Sequence, residues 1–279
     1  MTARGADSPR ARFRQALAER VVLADGGVGT QLYQRVGGPR GNLDGLNLSQ
    51  PRVVEEVHLA YIAAGADLIE TNTFGANPFR LREYGLEEEV WRVNLQGAKL
   101  ARSAREIAGR PVLVAGAVGP VGCPLEALGP SGRIQVRDAF LRQMEALLAG
   151  GVDLFMVETM LDVEELRLAV EAARSLAALP VVAQVTFSGG LEPVATGQAQ
   201  ALVRLVEELG EAAPDVVGIN CGAGPGPVVE ALGWLEPLRA RGIPLSALPN
   251  AGLPARVDGR LLYSASPAYL ASLLPAMLQ

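Results

Sequence analysis

A chain of 279 residues, of which 49% are apolar and 20% charged, is long enough to bury a sizeable core. Its formal net charge of -5 argues against a nucleic-acid surface, which needs clustered Lys and Arg. The sequence has two cysteines, no apolar signal-like stretch at its start and no run of ~18 apolar residues. These features predict a cytoplasmic protein without a disulfide framework or a membrane span, whose partners are small molecules.

The apolar residues form short runs of four to seven residues that alternate with longer amphipathic stretches. Seven runs predict β-strands, at 21–24, 66–71, 112–118, 153–157, 181–186, 216–220 and 245–248. Between them, apolar residues recur at spacings of three and four, as in a helix that packs one face on a sheet. The clearest stripes are Val54, Val57, Tyr61 and Ala64, and Val136, Phe140, Met144 and Leu147. Pro51 suits the first position of a helix, with Ser49 as a possible cap.

Strand–helix alternation at this spacing predicts parallel strands with helical crossovers. The predicted fold class is α/β, a (β/α)8 TIM barrel of residues 21–279 that follows an N-terminal tail and helix of residues 1–20. Seven strands precede the last predicted helix, 267–279, so the eighth strand is expected to be missing from this chain. A doubly wound open sheet is the alternative. The glycine-rich run 26–29 argues against it, because it lacks the G-x-G-x-x-G spacing of a dinucleotide site.

Polar residues end or follow five of the predicted strands. They are Asp25, Asn72, Thr73, Glu158, Asn220, Cys221 and Asn250. Active sites of (β/α) barrels lie at the carboxyl ends of the strands, so these side chains are expected to converge on one face. Each also has a structural interpretation. Asp25, Asn72 and Asn250 suit turns, and a lone thiol such as Cys221 is most often inert.

Glu158 ends an apolar strand, where a carboxylate is costly unless it is paired, and this favours a ligand-binding role. Cys123 lies in a loop on the same predicted face and is interpreted as an inert thiol. His58 is the sole histidine and lies inside a predicted helix beside its apolar stripe. It is interpreted as structural, which leaves little support for Ser–His or Cys–His catalysis.

Six stretches, taken in order, resemble the homocysteine S-methyltransferase family. They are LADGGVGTQL, LNLSQPRVVEEVHLAYIAAGADLIETNTFGAN, AGAVGPVG, DLFMVETMLDVEEL, VGINCGAGP and LPNAGLP. They span about residue 21 to about residue 270, and the second is similar to the methionine-synthase and fused methylenetetrahydrofolate-reductase branches of the family. The resemblance implies transfer of a methyl group to the thiol of homocysteine, which forms methionine.

The resemblance also implies residue roles. Family members hold Zn²⁺ through three cysteines, of which Cys221 matches one, and the metal lowers the pKa of the substrate thiol. The other two lie in a Gly-Gly-Cys-Cys motif that this sequence lacks, so the zinc site is expected to be incomplete. Asp25 and Glu158 match the carboxylates that bind the homocysteine ammonium. The remaining implied substrate-binding residues are Gly26, Gly27, Asn72, Thr73, Asn220 and Asn250.

Two other functions stay open. A non-catalytic barrel that binds an amino acid without zinc is compatible with the missing cysteine pair. An unrelated aldolase-like barrel needs a strand-end lysine, and none of the predicted strands ends in one. Among methyl donors, methylcobalamin, methyltetrahydrofolate, betaine and S-methylmethionine all remain possible, and the first two usually require further domains for cobalamin or folate.

Overall fold

The computed structural model describes residues 8–37, 41–187, 192–222, 224–252, 255–257 and 260–278. The chain divides into two compact units. Unit 1 comprises Met1–Val157 and Arg167–Val181, and unit 2 comprises Glu158–Leu166 and Val182–Gln279. None of the described helices is long and apolar enough to cross a membrane.

The helices of the first half of the chain are α1 (Pro9–Glu19), α2 (Val28–Arg35), α3 (Leu46–Ser49), α4 (Pro51–Ala64), α5 (Pro78–Arg82), α6 (Val90–Ala108) and α7 (Gly132–Gly150). Those of the second half are α8 (Val163–Leu176), α9 (Glu192–Leu209), α10 (Pro225–Gly233), α11 (Glu236–Arg239) and α12 (Pro267–Met277). Short 3₁₀ segments lie at Glu87–Glu89, Leu125–Ser131 and Gly210–Ala212.

Six strands of the described chain form one sheet in sequence order. They are β1 (Leu68–Glu70), β2 (Leu113–Val118), β3 (Leu154–Met160), β4 (Val181–Val185), β5 (Val216–Cys221) and β6 (Leu245–Pro249). The pairings of β1 with β2, β2 with β3, β4 with β5 and β5 with β6 are parallel. The predicted α/β class with parallel strands is therefore confirmed.

The predicted strand at 21–24 is wrong in extent. Only Ala24 pairs, through an isolated parallel bridge with Leu68. The N–H of Leu23 donates to the Asp67 carboxylate at 3.0 Å, so a side chain takes the donor that a longer ladder would use. Leu23 is also 53% exposed, which leaves little apolar burial to extend the pairing.

A second, antiparallel pair of strands was not predicted. It consists of β7 (Ala255–Val257) and β8 (Arg260–Leu262) and is separate from the six-stranded sheet. Each strand has three residues, which is too short for an alternating pattern to be recognised in the sequence.

The amphipathic stripes identify the buried helix faces. The α7 stripe of Val136, Phe140, Met144 and Leu147 is completely buried. Val54 and Val57 of the α4 stripe are buried, but Tyr61 is half-buried and Ala64 is exposed. Pro51 begins α4 as predicted, whereas Ser49 does not cap it. The hydroxyl of Ser49 instead donates to the Gly45 carbonyl at 3.1 Å, and Gln50 is the residue before Pro51.

His58 of α4 is fully buried, and neither of its ring nitrogens has a hydrogen-bond partner among the described residues. Burial lowers the pKa of His58 to about 4, because the imidazolium loses hydration without gaining a partner. An uncompensated polar ring in the packed interior of unit 1 also lowers the stability of the neutral form.

We expect stability to fall as the pH drops from about 6.5, the ordinary pKa of His, to about 4. The folded state resists protonation over this window, and the gap corresponds to about 3 kcal/mol of unfolding free energy. His58→Leu removes the titrating ring, so the unfolding free energy of the variant should fall less than that of the parent chain as the pH drops. Urea unfolding at about pH 7.5 and about pH 5 measures this difference.

No other imidazole can produce the effect, because His58 is the only histidine in the sequence. An equal loss of stability with acid in the parent chain and in His58→Leu would contradict the prediction.

Candidate functional site

The ends of β3 and β5 carry the polar residues of unit 2. Strand β3 extends to Met160, three residues beyond the predicted end. Glu158 therefore lies within the strand, two residues before its last residue. Strand β5 includes Cys221, one residue beyond its predicted end. A Cβ at Gly218 of β5 would collide with the Ser246 carbonyl oxygen of β6, so only glycine permits the two strands to approach this closely.

Asn220 is the centre of this cluster and is 2% exposed. Its Nδ2 donates to Glu158 Oε2 at 3.0 Å and to Thr159 Oγ1 at 2.7 Å, and it lies 3.5 Å from Cys221 Sγ. Its Oδ1 accepts the Thr159 backbone N–H at 2.8 Å. One amide therefore connects a carboxylate, a hydroxyl and a thiol. We call Glu158, Thr159, Asn220 and Cys221 the Asn220 cluster.

Cys221 is half-buried and is supported from the strand that follows it. Its backbone carbonyl accepts the N–H of Asn250 at 3.1 Å. The side-chain Nδ2 of Asn250 donates to the Gly222 carbonyl at 3.3 Å. The geometry thus gives Asn250 a supporting place beside the loop that follows Cys221, and the structure brings together all the predicted site residues of unit 2.

In unit 1, Asp25 follows the isolated bridge at Ala24. Its N–H donates to the Leu68 carbonyl at 2.9 Å, and its Oδ2 accepts the N–H of Glu70 at 3.0 Å. Burial, and next the negative charge of Glu70, raise the pKa of Asp25 well above its usual range. A cation bound here would relieve the repulsion between the two carboxylates.

The glycines after Asp25 lead into α2. Gly26 and Gly27 are exposed, and Gly27 is the residue that precedes the first turn. A Cβ at Gly26 would lie 3.3 Å from the hydroxyl of Tyr61. Burial, and next the charge of Asp25, raise the pKa of Tyr61 to about 12, so this hydroxyl keeps its proton near neutral pH. Backbone N–H groups at a helix start suit a ligand carboxylate.

Asn72 and Thr73 are buried in hydrogen bonds within unit 1. The Nδ2 of Asn72 donates to the Leu43 carbonyl at 2.8 Å and to Asn47 Oδ1 at 3.1 Å. The hydroxyl of Thr73 lies 2.8 Å from the Ala117 carbonyl and 2.6 Å from the hydroxyl of Thr71. This geometry favours a supporting role for both residues in the loop after β1.

Two residues of the candidate sites were missed by sequence reasoning, Thr159 and Glu70. Each belongs to a Glu-Thr pair near the end of a strand: Thr71 directly follows Glu70, the last residue of β1, and Glu158-Thr159 lies in β3. The repetition of this pair is the signal that could have identified them. Cys123, interpreted as an inert thiol, is half-buried and forms no disulfide.

The described residues do not furnish a complete metal site. They contain no group of three or more His, Cys, Asp and Glu side chains placed to hold a metal ion. Cys221 is the single thiol of the Asn220 cluster, and a zinc site needs at least three protein ligands.

A model of the homocysteine S-methyltransferase family matches residues 22–278. Methionine synthase of Mycobacterium tuberculosis is 35% identical over 252 residues, 85% of this chain and 21% of that protein. The Mycobacterium leprae methionine synthase is 35% identical over 274 residues, 93% of this chain and 22% of that protein. The chain thus spans about a fifth of the length of these relatives.

Solved structures of the Escherichia coli homocysteine methyltransferase MmuM are similar in fold. The metallated form has a TM-score of 0.72 at 26% identity, over 96% of this chain and 91% of that chain. The oxidized form has a TM-score of 0.73 at 27% identity, over 97% of this chain and 91% of that chain. With the family model matching residues 22–278, the chain belongs to the homocysteine S-methyltransferase family.

Proposed function

We propose that this chain binds homocysteine for transfer of a methyl group to its thiol, which yields methionine. The observation that carries the proposal is the Asn220 cluster, in which one buried amide holds the Glu158 carboxylate and lies beside the Cys221 thiol. Membership of the family and the names of the relatives, methionine synthase and homocysteine methyltransferase, support the reaction class.

Glu158 is proposed to bind the ammonium group of the substrate. An ammonium group held away from water needs an opposite charge and hydrogen-bond acceptors. A carboxylate offers about four acceptor positions, so the bond from Asn220 is compatible with a further bond from a ligand. In unit 1, Asp25 is proposed as a substrate-binding carboxylate on the family resemblance, and the backbone of Gly26 and Gly27 as donors to a substrate carboxylate.

For the fold, we propose a (β/α)8 barrel. The likeness to MmuM and the parallel order of the six strands support it. The proposed domain remains residues 21–279, with a cytoplasmic location. A methyl donor and, for a folate or cobalamin donor, further domains are the proposed partners.

A second candidate function is binding of an amino acid without catalysis. The cysteine count favours it, because two cysteines and one histidine cannot supply the three thiolates of the family's zinc site. Release of methionine from homocysteine and a methyl donor would exclude this candidate.

Glu158→Gln is expected to weaken L-homocysteine binding roughly ten- to a hundredfold, because it removes a charge-assisted hydrogen bond of about 1.5–3 kcal/mol. Isothermal calorimetry with the chain measures the affinity. Glu230→Gln, an exposed change on α10, is the matched control. Asp25→Asn is expected to act similarly, with exposed Asp138→Asn as its control. Unchanged affinity in both site variants would rule out the proposed ammonium site.

The chain is expected to bind Zn²⁺ weakly, because Cys221 is the only side chain that matches a family ligand. Zinc content after dialysis against a mild chelator measures this, with Cys221→Ser as the comparison. Stoichiometric zinc retained by the parent chain and lost from Cys221→Ser would show that a metal site forms here after all.

A further inference from the structure

Thr159 has an unusual backbone conformation. Its φ is 59°, and Cys221, with φ 58°, is the other non-glycine residue of the described chain with a positive φ. A β-branched side chain rarely adopts this left-handed conformation, because its Cβ substituents crowd the backbone. Such strain persists where surrounding contacts hold it, and it is concentrated at functional sites.

The left-handed backbone gives Thr159 two contacts with the same side chain. Its N–H donates to Asn220 Oδ1 at 2.8 Å, and its hydroxyl oxygen accepts from Asn220 Nδ2 at 2.7 Å. An N–H can only donate, so the amide oxygen must face Thr159. The N–H contact therefore allows only one orientation of the Asn220 amide, and the Thr159 hydroxyl adds a second hydrogen bond that holds the amide in that orientation.

This orientation decides what Glu158 meets. With Oδ1 on Thr159, the NH₂ group of Asn220 faces Glu158 Oε2 at 3.0 Å. A flipped amide would place its oxygen against the carboxylate, and two acceptors repel. The hydroxyl of Thr159 also lies 3.6 Å from Cys221 Sγ. Thr159 therefore contacts both the Asn220 amide and the Cys221 thiol.

We infer that Thr159 is a positioning residue for substrate selection: it fixes the Asn220 amide, which holds the Glu158 carboxylate for the amine of the substrate. The inference rests on the proposed function, because it takes Glu158 as the group that binds the ammonium. Substitution of Thr159 should therefore weaken the binding of ligands that have an α-amine and leave the binding of ligands without one unchanged.

A purely structural role for Thr159 makes a different prediction. Glycine adopts a positive φ without the strain of a β-branched residue. If Thr159 only shaped the turn, Thr159→Gly would preserve both folding and binding. If it positions Asn220, Thr159→Gly keeps the thermal midpoint at or above that of the parent chain but weakens binding of the amine ligand.

The test measures the affinity of the full chain for L-homocysteine and for 4-mercaptobutanoate, which lacks the amine. Thr159→Val keeps the shape of the side chain but removes its hydroxyl. We expect the affinity for homocysteine to fall about fivefold or more, because Asn220 loses one hydrogen bond. The affinity for 4-mercaptobutanoate should not change. Thr159→Ser keeps the hydroxyl and should bind both ligands as the parent does, and Thr159→Gly serves if Thr159→Val folds poorly.

A double-mutant cycle separates this inference from the proposed function. If Thr159 acts through Glu158, Thr159→Val should add no loss to Glu158→Gln. Weaker binding in Glu158→Gln with parent-like binding in Thr159→Val and Thr159→Gly overturns the inference alone. Parent-like binding in Glu158→Gln overturns the proposed role of Glu158 as an ammonium-binding group.

If the parent chain binds no homocysteine, the proposed function fails. Hydrogen exchange of the Asn220 side-chain amide then still tests whether Thr159 positions it. Its NMR signal is identified by its loss in Asn220→Asp. We expect its hydrogens to exchange with solvent on the order of tenfold faster in Thr159→Val than in the parent or in Thr159→Ser. Equal exchange in all three chains overturns the inference.

Discussion

The hydrogen bonds of the Asn220 side chain are the interaction on which the candidate site of unit 2 depends. Asn220 is buried, and its amide both donates and accepts, so it can link a backbone N–H with a carboxylate. Because the Asn220 amide is buried, leaving one of its hydrogen bonds unmade is costly. The two hydrogen bonds between this amide and Thr159 also hold the left-handed backbone of that residue in place.

Much of the fold is predictable from the sequence, because hydrophobic periodicity reports which faces are buried. The buried stripe of α7 and the parallel order of β1 to β6 follow from it. The extent of the first strand did not follow, because its pairing at Ala24 is limited by a bond from Leu23 to the side chain of Asp67, a contact distant in sequence. The pair of β7 and β8 was missed because three-residue strands show no period.

The site was predictable in part. Glu158, Asn220 and Cys221 were identified because parallel strands place their carboxyl ends together, and the structure joins these three through one amide. The role of Thr159 was not predictable, because it depends on a positive φ that no residue pattern indicates for a β-branched side chain. The proximity of Glu70 to Asp25 likewise depends on the register of two segments that are distant in sequence.

The most direct test of the account is an experimental structure of the chain with L-homocysteine bound. We expect the ammonium nitrogen to lie within about 3.2 Å of a Glu158 carboxylate oxygen. The Asn220 NH₂ group should still face that carboxylate, and the amide oxygen of Asn220 should still accept the Thr159 N–H. A substrate amine bound away from Glu158, or a flipped Asn220 amide in the occupied site, would contradict the account.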